Sequence, residues 1–124
     1  MFSKKLKIIS HKLANQCNKR NIHLVTAESC TGGLLSAIIT EIPGSSNWFD
    51  RGYVTYSNNA KIDLLGVSEK NLNNFGAVSQ EIANEMSLGA LRNSEANLSV
   101  SITGIAGPDG GSIKKPIGTV FFAF

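Results

Sequence analysis

Four side chains have types and spacing that suit hydrolysis: Ser29, Ser46, Tyr56 and Lys61. A serine hydroxyl needs a base before it attacks a carbonyl. Where histidine is lacking, a lysine of lowered pKa can take the proton. Only two histidines occur, His11 in a lysine-rich stretch and His23 at the head of an apolar run, and neither has a neighbour at metal-ligand spacing. A Ser-His-Asp triad and a protein-bound metal are therefore not expected. Lys61 stands in a segment of few charges, which lowers its pKa if it is buried. Tyr56, five residues earlier, is placed to relay a proton or orient the amine. Against this, a lone lysine is more often a solvated helix residue and a tyrosine a plain strand aromatic. Pattern alone leaves both readings open.

Two loops accompany these residues. The first, Thr-Ala-Glu-Ser-Cys-Thr-Gly-Gly at 26–33, joins the apolar run Ile22–Val25 to the apolar run Leu34–Ile39. A strand-to-helix turn of this kind aims backbone N–H groups at one point, and the helix N-terminus adds partial positive charge. Glu28, Ser29, Cys30, Thr31, Gly32 and Gly33 thus read as an anion-binding or oxyanion-stabilising corner. The second loop is Gly-Ile-Ala-Gly-Pro-Asp-Gly-Gly-Ser-Ile-Lys-Lys at 104–115. It reads equally as a plain turn or as a cradle for a small anion such as a phosphate ester. No lysine closes the Thr-Gly-Gly run as a Walker A would, and there is no G-x-G-x-x-G.

The elements that must hold these loops follow from periodicity. Residues 3–19 predict a helix, with Phe2, Leu6, Ile9, Leu13 and Cys17 as its buried stripe. A strand is expected at 22–27 and a helix at 32–40. Pro43 and Gly44 then mark a turn-rich loop. Residues 52–56 alternate as a strand. Ser57 or Asn58 caps a short helix carrying Lys61 and ended by Gly66. Residues 67–76 read as irregular. Ser79 opens a further helix with Ile82, Met86, Gly89 and Ala90 on its inner face, and strands follow at 97–103 and 117–124. Helices interleaved with apolar strands predict one layered α/β/α domain with a mixed central sheet. Both loops follow strands, so the carboxyl edge of that sheet is the expected crevice.

Composition excludes several classes. Hydrophobic residues make up 42% and charged residues 17%, which reads as globular. No apolar run approaches the ~20 residues of a membrane span, and no secretory h-region is seen. Cys17 and Cys30 show no redox or metal spacing, so reduced thiols in a cytoplasmic protein are expected. All six basic residues of the first twenty occur without an acid, while the remainder carries six basic and nine acidic residues. That acidic body argues against nucleic acid as partner, and the basic end reads as the solvated face of the first helix.

The motifs carry a resemblance. A-E-S-C-T-G-G-L at 27–34, P-G-S-S-N-W-F at 43–49, G-Y-V-T-Y-S-N-N-A-K at 52–61, L-L-G-V at 64–67, G-A-V-S at 76–79, T-G-I-A-G-P-D-G-G at 103–111 and K-P-I-G-T-V at 115–120 resemble the CinA C-terminal domain family of nicotinamide-nucleotide amidases. The resemblance implies hydrolysis of the nicotinamide mononucleotide amide to the acid and ammonia, through an acyl-enzyme and without a cofactor. It implies Ser46 as nucleophile, Lys61 as base and Tyr56 as relay, with Ser29 assisting or itself the nucleophile. Glu28, Cys30, Thr31, Gly32, Gly33, Thr103, Gly104, Ala106, Gly107 and Gly110 would bind the nucleotide. A homo-oligomer is expected, with no membrane partner. Domains of the family continue past the strand at 117–124 into another strand and a helix. The resemblance therefore implies a domain lacking its closing part, and a nucleotide binder without turnover as the alternative function.

Overall fold

A computed structural model describes all 124 residues. Helix α1, Lys4–Arg20, is capped by Ser3, whose side chain accepts from the Leu6 amide, and it ends where Asn21 turns left-handed. Strand β1 is Leu24–Glu28 and helix α2 is Leu34–Thr40. A single 3-10 turn, Ser45–Asn47, leads into strand β2, Phe49–Val54. Helices α3 (Asn58–Leu65), α4 (Glu69–Phe75) and α5 (Gln80–Arg92) follow, then strands β3 (Leu98–Gly104) and β4 (Val120–Ala123).

The sheet runs β2-β1-β3-β4. β1 pairs in parallel with β2 and with β3, and β4 is antiparallel to β3, so the sheet is mixed as expected. β1 is central and buried at every residue. Its alternation divides two cores. Leu24 packs with Ala14, Cys17, Ile39, Ile42 and Trp48 on the side of α1 and α2. Val25 and Ala27 pack with Leu65, Val67, Leu72, Ile82, Met86 and Ala90 on the side of α3, α4 and α5. Serine and threonine hydroxyls tie β3 to α5 and to the segment that leads into it. Ser101 Oγ donates to Ala83 O at 2.6 Å, and Thr103 Oγ1 donates to Ala77 O at 2.8 Å.

Three expectations are corrected here. Of the expected stripe Cys17 is buried and Phe2 and Leu13 are half-buried, but Leu6 and Ile9 stay about half exposed at 48% and 51%, and Ser10 and Ala14 are buried instead. Small residues on the inner face let α1 lie close to its neighbours, and the Lys7–Glu41 ion pair at 3.1 Å binds it to the segment after α2. Residues 67–76 contain α4, capped by Ser68, although only Leu72 of its seven residues is buried. The last strand covers 120–123, preceded by a turn in which Gly118 N–H donates to Ile105 O.

Candidate active site

Strand parity assigns opposite directions to two adjacent residues at the end of β1. Thr26 and Glu28 face α2, and Ser29 faces α3. Ser29 is buried and receives a hydrogen bond from Lys61 Nζ at 2.9 Å. Lys61 sits in the first turn of α3, which is capped by the Ser57 hydroxyl accepting from the Ala60 amide. The lysine is 1% exposed. Its ammonium also donates to Thr55 O at 2.8 Å and Tyr56 O at 3.0 Å, the two carbonyls that follow β2. Burial pulls its pKa down to about 8, slightly countered by Cys30.

Two carbonyls and one hydroxyl account for all three ammonium hydrogens. When Lys61 is neutral, the carbonyls can retain its two N–H groups, which leaves the lone pair directed at the Ser29 hydroxyl. The geometry permits the lysine to take the serine proton as a bond forms at Oγ. Burial raises the pKa of the neighbouring Cys30 thiol, and the Lys61 charge only partly opposes this. Cys30 thus stays a thiol at neutral pH, and it is Ser29 that is hydrogen-bonded to Lys61.

Ser29, Cys30, Tyr56, Lys61, Ala77, Val78, Thr103, Gly104 and Ala106 line one cleft of about 240 Å³ at the carboxyl edge of the sheet. Parallel pairing of β1 with β3 brings the two loops together, as their positions after strands predicted. Gly104 permits close packing: a Cβ there would stand 3.1 Å from Cys30 Sγ and 2.8 Å from Thr119 O. Ala77 and Val78 were not singled out as site residues, since nothing in two small apolar residues before a helix marks a site.

Other expected partners lie elsewhere. Ser46 is exposed in the 3-10 turn before β2, whereas Lys61 is anchored to Thr55 just after it. The six residues of β2 separate them by roughly 20 Å at strand rise. Ser46 and Lys61 are thus at opposite ends of the sheet and cannot form a pair. Tyr56 lines the cleft, but the residue is 73% exposed and its carbonyl, not its hydroxyl, holds Lys61. Gly110 lies on a separate, open groove with Pro108, Asp109 and Ile117, and Gly107 packs beside Ile117, so the second loop meets the cleft only through residues 103–106.

The anion corner exists, but its anion is internal. The Leu35 and Ser36 amides donate to the carboxylate of Glu28 at 2.8 and 3.0 Å, and the Thr31 and Ser36 hydroxyls donate to it at 2.7 Å each. Burial opposes ionisation of Glu28, but these four bonds outweigh it and hold the carboxyl below its usual range. Glu28 and Thr31 are thereby committed to each other rather than to a ligand. Gly32 and Gly33, at φ +57° and +104°, supply the left-handed backbone of the turn.

A three-layer α/β domain with a buried serine–lysine pair at a strand switch point defines a class of candidate hydrolases. The model of the CinA C-terminal domain matches residues 6–124, and the chain belongs to that family. It is 52% identical over all 124 residues to the nicotinamide-nucleotide amidohydrolase PncC of Enterobacter agglomerans, covering 76% of that protein. Among solved structures it is similar to the competence/damage inducible protein CihA of Agrobacterium tumefaciens, with a TM-score of 0.95 and 47% identity over 98% of this chain and 74% of that one. A CinA superfamily protein of Escherichia coli gives a TM-score of 0.91 at 34% identity, covering 98% of this chain and 72% of that one.

Proposed function

We propose that this chain hydrolyses the carboxamide of a nicotinamide nucleotide, with Ser29 as nucleophile and Lys61 as its base. The observation that carries the reading is the buried Lys61 amine, held by two carbonyls and bonded to Ser29 Oγ. The names of similar proteins supply the substrate class.

Neutral Lys61 takes the Ser29 proton as Oγ attacks the amide carbon. The Cys30 amide, next in the chain and bonded to no other backbone or side-chain oxygen, is the nearest candidate to stabilise the oxyanion. Lys61 then passes its proton to the amide nitrogen, the C–N bond breaks, and ammonia leaves. Water attacks the resulting ester, Lys61 accepts the water's proton, and its return to Ser29 Oγ releases the acid. Tyr56, Val78 and Ala106 at the mouth of the cleft would flank the pyridine ring.

Purified protein incubated with nicotinamide mononucleotide should release ammonia. Ser29→Ala and Lys61→Met should each lower the rate at least about a thousandfold, and Ser46→Ala should stay within about threefold of the unchanged chain. Full activity in Ser29→Ala, or saturable binding of the nucleotide without ammonia release, would overturn the reading.

A further inference from the structure

The chemistry above uses Ser29 and Lys61 but not the carboxylate between their supports. Glu28 is 0% exposed and accepts four hydrogen bonds. We propose that Glu28 is the positioning residue of this site, a buried staple that holds the nucleophile's turn and the base's anchor in one frame. The proposal rests on the Ser29–Lys61 reading.

Two sets of bonds lead out from Glu28. Its side chain gathers Thr31 from the middle of the 29–33 turn and the amides and hydroxyl of the first turn of α2. The segment that carries Ser29 is thus closed on itself, with Gly32 N–H also donating to Ser29 O at 3.1 Å. Its backbone carbonyl accepts from the Thr55 amide at 2.9 Å, and Thr55 O is the closest acceptor of Lys61 Nζ. One residue therefore connects to the nucleophile through its side chain and to the base through its main chain.

The staple has its own support. Ser36 Oγ, which donates to Glu28, is 2.8 Å from Thr26 Oγ1. Gly52 on β2 passes directly over this pair, and a Cβ there would stand 2.4 Å from Ser36 Oγ and 2.8 Å from Thr26 Oγ1.

The test reads Ser29 directly. A serine-directed fluorophosphonate should label the unchanged chain at Ser29, located by peptide mass. In Glu28→Gln the amide sets an NH2 against groups that are themselves donors, so the turn shifts. A misplacement of about 1 Å costs about a hundredfold, so labelling and kcat should both fall by that order while KM stays within about threefold. Ser36→Ala keeps the backbone donor and loses one hydroxyl, and should fall about tenfold. It carries the test if Glu28→Gln does not fold. Labelling of both variants at the original rate, or loss of thermal stability in Ser36→Ala without slower labelling, overturns the proposal. Absence of labelling at Ser29 in the unchanged chain removes the Ser–Lys reading and this proposal with it. Labelling without ammonia release from the nucleotide removes only the substrate assignment.

Discussion

In the proposed chemistry the buried lysine is the base, and its environment fixes a measurable consequence. An ordinary lysine is almost wholly protonated at pH 7 and cannot accept a proton. Desolvation brings Lys61 from 10.5 to about 8, so about a tenth is neutral at pH 7. Only the neutral amine serves as base. The value of kcat/KM should therefore rise with pH, as the ammonium fraction falls, and level off above about 8. A limb near 10.5 in the pH–rate profile would mean that Lys61 titrates as a solvated lysine, against the lowering expected from its burial. Lys61→Arg, which stays charged throughout, should be inactive over the whole range. The same reasoning separates the neighbours of Lys61: Ser29 is bonded to the base, whereas burial keeps the Cys30 thiol protonated.

The lysine is only as well placed as α3, and α3 is set by its contact with α5. Gly89 makes this possible, because a Cβ there would come 1.9 Å from Leu65 O. Gly89→Ala should push the two helices apart and cost about 1–3 kcal/mol, measured by urea denaturation, with activity falling as Lys61 shifts. Ser79 caps α5, its hydroxyl accepting from the Ile82 amide at 3.2 Å, and Ser79→Ala should cost about 1 kcal/mol in the same assay. These elements were readable in the sequence. Ser57, Gly66 and Ser79 punctuate α3 and α5 correctly, and the apolar run before Glu28 predicts β1. α4 was not readable, because Glu-Lys-Asn-Leu-Asn-Asn-Phe has too few apolar residues for a period, and Glu85, which accepts from the Ser68 amide and Asn71, helps to hold it. The face of α1 was read correctly at Cys17 and in part at Leu13, and misread at Leu6 and Ile9 because large apolar residues were assumed to turn inward. Ser46 was misplaced for a different reason: the strand expected between it and Lys61 already carries the two residues to opposite ends of the sheet, but the pairing came from the resemblance, without regard to that strand's length. Ser29 and Lys61 are brought together by parallel pairing, which is visible only once the sheet is built.

Across the whole molecule, the order β2-β1-β3-β4 leaves β4 at an edge. Val120, Phe122 and Phe124 are 40%, 54% and 90% exposed and share one parity, so they present an apolar strip beside unpaired backbone. Ala123, on the other side of the same strand, borders a groove with Leu88, Leu91 and Leu98 that Phe124 reaches from just past the strand's end, and no charged residue lines it. The devices that keep edge strands apart, such as an inward charge, a proline or a bulge, are all missing from 120–124. Repulsion from a net charge of +3 is modest, and half of the basic residues lie at the other end of the chain. The 124-residue chain should therefore self-associate in a concentration-dependent way, as followed by sedimentation velocity. Phe122→Lys places a charge at the centre of the strip and should shift the chain toward monomer. Phe122 does not line the cleft, which sits at the carboxyl ends of β1 and β3, so each monomer should keep its rate of ammonia release. A chain that is monomeric at all concentrations, or whose association is unchanged in Phe122→Lys, would show that the β4 edge is not the contact.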